Sequence, residues 1–187
     1  MVTLHRGPNW KIAVYAGDHG VPHFHIEGLG FRCSVAIATL EVIIGVVPRR
    51  VLVEALRWAT DRQDELLAKW SRIREIRSEV TKAIEVEREA GNVGSSLQAE
   101  LTIKVGDVDF AILHSLEDDL RFVTITSSAN IELSNAGLEV LVRGSQYKKC
   151  GRCWHHTKDV GNNADHPELC GRCISNLFGD GDHRLFA

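Results

Sequence analysis

The chain has 187 residues, of which 44% are hydrophobic and 25% charged, and its formal net charge is −3. This composition is typical of a globular protein. Because the net charge is slightly negative, the molecule as a whole does not attract nucleic acid, and binding to nucleic acid would need a local basic patch. No apolar run approaches the ~20 residues of a membrane span. The first residues also lack the basic start and apolar middle of a signal peptide. We therefore expect a cytoplasmic protein with no membrane partner.

The first part of the chain predicts a small antiparallel sheet followed by helices. The predicted strands are residues 10–16, 21–28, 31–39 and 41–47. Pro48 suits the first turn of a helix, and apolar residues then recur at three- and four-residue steps as far as Gly91. Because residues 49–90 would make a long helix for a globular domain, we expect a break at Asp61–Asp64.

The middle of the chain predicts a second α+β unit. A strand over 97–105, a helix over 107–120 and strands over 121–131 and 138–145 follow from its apolar patterns. Cys33 lies alone in an apolar alternating strand, where it is most simply a small buried residue. The predicted fold class is therefore α+β: a small N-terminal antiparallel β-meander plus helices, then a small α+β unit that carries the remaining cysteines.

Four of the five cysteines form two C-x-x-C pairs near the end of the chain. The pairs are Cys150 with Cys153 and Cys170 with Cys173, and both read Cys-Gly-Arg-Cys. Two such turns supply four soft ligands for a tetrahedral zinc ion and leave no open position for catalysis. Glycine should allow backbone angles that aim amides at the thiolates, and arginine should offset their negative charge. The spacing predicts a structural zinc knuckle.

Histidines and cations surround the cysteines. His155, His156 and His166 could compete as ligands, but a complete cysteine set favours exposed loop histidines. Cations beside an aromatic side chain are typical of an RNA-binding surface, although acidic residues are interspersed and a purely structural role stays open. The candidate RNA contacts are Lys148, Lys149, Arg152, Trp154, Arg172 and Arg184.

The second half of the chain resembles a known family. The segments IREIRSEVTKAIEVEREAGNVGSSLQAELTI (73–103), LEDDLRFVTITSSANI (116–131) and the cysteine-bearing tail look like the C-terminal end of bacterial isoleucyl-tRNA synthetase. The resemblance covers about 71–187 and implies that the four cysteines bind zinc in a module that helps to hold tRNA. The H-x-G-H and K-M-S-K-S signatures of that family are absent, so we expect no isoleucine-activating enzyme.

The first part of the chain resembles a different family. VYAGDHGVPHFHIEG (14–28) and GVVPRRVLVEALRWATDRQDELLAKW (45–70) look like the bacterial domain of unknown function 4160, with Val21 in place of the first proline of its histidine turn. Asp18, His19, His23 and His25 form a possible functional cluster. His23 and His25 share one face of a strand, where they could bind a metal, act as an acid–base pair or satisfy turn amides.

We expect three modules: a domain-of-unknown-function-like α+β module at 1–70, a synthetase junction at 71–145 and a zinc-finger module at 146–187. The preferred interpretation is a non-catalytic zinc protein that contacts tRNA, with a protein partner for the N-terminal module. Two alternatives stay open. One is a toxin-like effector or ribonuclease that acts through the histidine cluster, and the other is a gene-fusion remnant without a joint function.

Overall fold

The computed structural model describes residues 2–15, 20–114, 116 and 119–181, which form an α+β fold. The chain makes two compact units, and the division between them falls after Arg77, inside one long helix. Among the helices of the described residues, none is both long and apolar enough to cross a membrane.

The first unit contains a five-stranded antiparallel sheet whose strands are adjacent in chain order. The strands are β1 (Val2–Arg6), β2 (Trp10–Val14), β3 (His23–Gly28), β4 (Phe31–Ala36) and β5 (Val42–Val46). The predicted meander is confirmed for β2 to β5. The prediction lacks β1, because its short segment mixes apolar and basic side chains and has no clear alternation.

The sheet has one apolar and one polar face, because successive side chains along a strand point to opposite sides. The apolar face is buried and consists of Ile12, Val14, Phe24, Ile26, Cys33 and Val35. Cys33 is thus the small core residue that its strand predicts. The polar face carries the histidines of β3.

Two helices follow the sheet, α1 (Arg49–Thr60) and α2 (Gln63–Glu89). The break expected at Asp61–Asp64 is therefore confirmed. The Gln63 side-chain amide donates hydrogen bonds to the carbonyls of Ile37 and Ala38, at 2.7 and 2.9 Å, and so ties the start of α2 to the segment after β4. Soon after α2 ends, Gly91 adopts a φ of 79°, which favours glycine.

The second unit contains a three-stranded mixed sheet. Its central strand β6 (Ala99–Val105) pairs parallel to β7 (Ser128–Leu133) and antiparallel to β8 (Glu139–Gly144). Leu101, Ile103 and Val105 of β6 are buried. The helices of this unit beyond α2 are α3 (Asp107–His114), α4 (Leu120–Thr124) and α5 (Gly171–Phe178).

The strand predicted over 121–131 is wrong in its first part, because residues 121–124 belong to α4, and the helix predicted over 107–120 ends at His114. The segment is rich in β-prone residues, but Leu120 and Val123 are buried on one side of a helical turn. The amides of Ile125 and Thr126 both donate to the Arg121 carbonyl and so close the helix. Tertiary packing overrides the local preference here.

Candidate metal centre

The first cysteine turn, Cys150–Cys153, lies in a short hairpin. Lys149 and His156 form an antiparallel bridge at its base, the Cys150 amide donates to the His155 carbonyl at 2.9 Å, and the Trp154 amide donates to the Cys150 carbonyl at 3.0 Å. These hydrogen bonds fix the direction in which both thiols of the turn point.

The second cysteine turn lies at the start of α5. Cys170 immediately precedes the helix and Cys173 belongs to its first turn, where the positive end of the helix dipole favours a thiolate. The Cys170 amide donates to the sulfur of Cys150 at 3.3 Å, so the two turns contact each other directly. Asp159 accepts a hydrogen bond from the Gly171 amide at 2.6 Å and thereby satisfies an amide at this helix end.

The four sulfurs converge on one point. All four lie within 4.8 Å of one another, and the sulfurs of Cys153 and Cys170 are 3.7 Å apart. A tetrahedral zinc ion with Zn–S bonds of about 2.3 Å requires sulfur–sulfur separations of about 3.8 Å, so the donor set fits zinc in chemistry and in size. All five cysteines of the chain, each within the described residues, carry free thiols.

The thiols differ in their electrostatic surroundings. Burial opposes ionisation of Cys150, but hydrogen bonds from the amides of Cys153, Cys170 and Arg152 lower its pKa to about 6. Burial raises the pKa of Cys170, and the neighbouring sulfurs add to that shift. Burial also raises the pKa of Cys173, although hydrogen bonds from Arg152 and Cys170 act in the opposite direction. A guanidinium nitrogen of Arg152 lies 3.7 Å from the sulfur of Cys173 and offsets negative charge as expected. A bound cation would favour thiolates at all four positions.

The glycines of the two cysteine turns do not have the special backbone angles that the sequence led us to expect. Neither Gly151 nor Gly171 has a positive φ, whereas Trp154 does, at 66°. A β-carbon added to Gly171 would lie only 2.9 Å from a carboxylate oxygen of Asp159. Glycine at 171 therefore leaves room for that carboxylate, which would have to shift for a larger residue, and it is not needed for its own backbone angles.

The three histidines of this region lie outside the group of converging ligand atoms found in the described residues. The expectation of exposed loop histidines is wrong for His155, which is buried, with Nδ1 3.2 Å from the Cys153 carbonyl. The Nδ1 of His156 lies 2.9 Å from the Tyr147 carbonyl, and His166 stacks on Phe178 with ring centroids 4.1 Å apart. These contacts give the histidines packing roles.

The candidate RNA contacts separate into two kinds. Lys148, Lys149 and Trp154 are exposed, and the ammonium of Lys149 lies 5.2 Å from the centre of the Trp154 ring. Arg152 is also exposed but contacts Cys173, and Arg172 is half-buried and lies over the ring of Phe122 at 4.9 Å. Arg184 lies outside the described residues.

A groove of about 620 Å³ adjoins the metal centre, and no pattern in the sequence predicts it. Its basic lining residues are Arg121, Arg143, Lys158 and Arg172. Arg121 and Arg143 are far from the cysteines in the chain, and only the fold brings them close. The lining also includes Ser127, whose hydroxyl accepts a hydrogen bond from the His156 amide at 2.6 Å and so links the cysteine hairpin to the start of β7.

The N-terminal histidine cluster is only partly described, because Asp18 and His19 lie outside the described residues. His23 and His25 share the polar face of β3, as predicted, with ring centroids 4.9 Å apart. His25 is buried, and its Nδ1 lies 3.0 Å from the Ser34 hydroxyl and 3.3 Å from the Arg32 guanidinium. Because arginine can only donate, this Nδ1 is the acceptor.

Comparisons with known proteins agree with both resemblances. Residues 148–176 match the model of a zinc finger found in FPG and IleRS, and residues 9–71 match the domain of unknown function DUF4160. Together with the converging sulfurs, the zinc-finger match identifies zinc as the cofactor.

The curated relatives are isoleucine–tRNA ligases, which match through their C-terminal regions. The chain is 56% identical over 129 residues to the ligase of Cupriavidus pinatubonensis, a match that covers 68% of this chain. It is 57% identical over 129 residues to that of Cupriavidus necator and 54% identical over 121 residues to that of Bordetella petrii, with 68% and 65% of this chain covered. In each case the chain spans only 13% of the length of the relative.

Proposed function

We propose that the second half of this chain is a non-catalytic, zinc-stabilised RNA-binding module that contacts tRNA. In this proposal Cys150, Cys153, Cys170 and Cys173 are the zinc ligands. The convergence of their sulfurs within 4.8 Å supports this assignment. Zinc bound by four thiolates has no open coordination position, so its role is to hold the hairpin and α5 together.

The observation that carries RNA binding is an exposed aromatic and basic surface on the zinc module. Trp154 is 57% exposed although it is large and apolar, and Lys149 lies against its ring. Tyr147 and Phe178 of the same module are 51% and 62% exposed. Exposed aromatic rings beside cations can stack on unpaired bases while the cations contact phosphates.

The adjacent groove supports the same proposal. Its two acidic lining residues are both engaged, because Glu100 pairs with Arg143 at 2.8 Å and Asp159 accepts from the Gly171 amide. The further basic groups Arg121, Lys158 and Arg172 therefore give the groove a positive balance that suits a phosphate backbone.

The matched relatives support the choice of tRNA and of a non-catalytic role. They are tRNA ligases, and the match spans only their C-terminal regions, 13% of their length. We place the protein in the cytoplasm, where paired thiols serve more often as metal ligands than as disulfides. The effector and remnant alternatives gain no support from the comparisons.

Binding of labelled isoleucine tRNA, measured by fluorescence anisotropy, tests this proposal. We expect the affinity to fall steeply with salt, and Trp154→Ala to weaken binding about tenfold or more because one base loses its stacking partner. Trp154→Phe should retain most of the affinity. Lys149→Ala should weaken binding and lower the salt slope by about 1, as loss of one phosphate contact does.

Lys82→Ala provides the matched control, since Lys82 is an exposed cation on α2, outside the zinc module. Zinc content, measured for each variant, separates loss of a contact from loss of the fold. If tRNA does not bind at low salt, or if Trp154→Ala and Lys149→Ala weaken binding no more than Lys82→Ala does, the proposal is wrong.

A further inference from the structure

Strand β5 is an apolar strand at an open edge of the first sheet. The sheet has the order β1 to β5, and within the described residues the outer edge of β5 pairs with no other strand. Every residue of β5 is exposed, and its four aliphatic side chains Val42, Ile43, Ile44 and Val46 are 42%, 48%, 70% and 81% exposed. These four side chains form what we call the β5 patch.

Edge strands of monomeric proteins usually carry charges, prolines or an outward bulge that prevent pairing with another chain. Val42–Val46 contains no charged residue and no proline. The irregularity in its pairing with β4, between Ser34 and Val35, does not remove the side chains from solvent. An edge of this composition offers both backbone hydrogen bonds and apolar area to a partner strand.

The side chains also project in a way that suits pairing. Ile44 lies opposite Ser34 and Val46 lies opposite Arg32, so these two aliphatic residues continue the polar face of the sheet and not its buried face. They are the two most exposed members of the β5 patch. Their burial therefore requires a surface from outside this sheet.

The charges that flank β5 point to a second copy of the same chain. Glu41 precedes the strand and Arg49 follows it at the start of α1, and both residues are exposed. In a two-fold antiparallel pair, the Glu41 end of one strand meets the Arg49 end of the other. The uncharged segments between them then align with each other along their whole length.

We propose that β5 pairs antiparallel with β5 of a second copy, so that two five-stranded sheets join into one continuous ten-stranded sheet. The two-fold axis passes near Ile44, and the two β5 patches pack side by side across it. Because such an interface is isologous, the same pairing satisfies both open β5 edges and closes the assembly at a dimer.

Light scattering coupled to size exclusion, applied to the full chain over a range of concentrations, tests the proposal. We expect a dimer that dissociates on dilution and that becomes a monomer in Ile44→Lys, because each copy would bring a buried charge to the axis. Leu29→Lys is the matched control: Leu29 is 98% exposed, lies in the turn between β3 and β4, and should leave the dimer intact. Circular dichroism verifies that both variants are folded.

A charge exchange distinguishes this interface from any other. Glu41→Arg and Arg49→Glu should each weaken the dimer, since each places like charges at the strand ends, and the double variant should restore it. Amide hydrogen exchange of residues 42–46 should slow as the concentration rises. A monomer at every concentration, or a dimer that survives Ile44→Lys with unchanged exchange in β5, would overturn the proposal.

Discussion

At the scale of single residues, the zinc module depends on contacts that lie outside the cysteine pairs. Asp159 is eleven residues before Cys170, yet its carboxylate accepts the hydrogen bond of the Gly171 amide at the start of α5. Ser127 reaches the same module from the start of β7 through the His156 amide. The positions of the sulfurs are thus set by polar groups that a search for cysteine spacing does not consider.

The Asp159 contact leads to a stability prediction. Asp159→Ala should lower the free energy of unfolding of the zinc module by about 1 kcal/mol, because the first turn of α5 loses an amide partner. Zinc should also be released faster to a chelator, which a colorimetric assay follows directly. Asp165→Ala is the control, since Asp165 is exposed in the same loop. Equal effects of the two substitutions would contradict a specific role for Asp159.

The same carboxylate predicts a pH dependence. Burial opposes its ionisation, but hydrogen bonds that include the one from Gly171 lower the pKa of Asp159 below its ordinary value. Its contribution to stability is therefore present above the unfolded pKa and is lost as the pH falls through the folded pKa. The stability difference between the unaltered chain and Asp159→Ala, measured by urea denaturation, should shrink in acid and not in base.

At the scale of elements, local preference decides most boundaries, and tertiary packing decides the exceptions. The end of α1 and the end of α2 follow from sequence, but α4 forms from residues that favour strands. Ile125, the residue that follows α4, has a φ of 59°, a left-handed conformation that is unfavourable for a β-branched side chain. The helix forms nevertheless, because its own side chains Leu120 and Val123 are buried.

This strain predicts a stabilising substitution. Ile125 is 44% exposed, so replacing it with glycine loses little burial and relieves the left-handed backbone, and the free energy of unfolding should rise by up to about 1 kcal/mol. Val108→Gly should instead lower the free energy of unfolding, because Val108 is 76% exposed inside α3 and glycine weakens a helix. Urea denaturation measures both. Similar destabilisation by the two variants would show that Ile125 is not strained.

At the scale of the whole molecule, the sequence predicts the parts that depend on local patterns. The duplicated C-x-x-C turns, the meander from β2 to β5 and the break between α1 and α2 all rest on residues close together in the chain. The groove beside the metal centre could not be predicted, because Arg121 and Arg143 approach it only through the mixed sheet. Burial of His155 has the same cause, since its ring packs 5.6 Å from that of Phe122.

The exposure of the β5 side chains could not be predicted from the sequence either. The aliphatic run of β5 predicts a strand, and such runs are usually buried, but an edge position leaves the β5 patch in solvent.

The boundaries of the three expected modules stay a prediction. The described structure divides into two units after Arg77, and limited proteolysis would show which segments fold independently.

One zinc ion held by four thiolates is the feature on which the second unit of the molecule depends, and zinc X-ray absorption spectroscopy of the purified full chain measures the ligands of that ion. We predict one zinc per chain, surrounded by four sulfur atoms at about 2.3 Å, and loss of this signal in Cys170→Ser. Cys33→Ser should leave the spectrum unchanged, because Cys33 is buried in the core of the other unit. A zinc-free chain, or a zinc ion with nitrogen or oxygen in place of a sulfur ligand, would contradict four-thiolate binding.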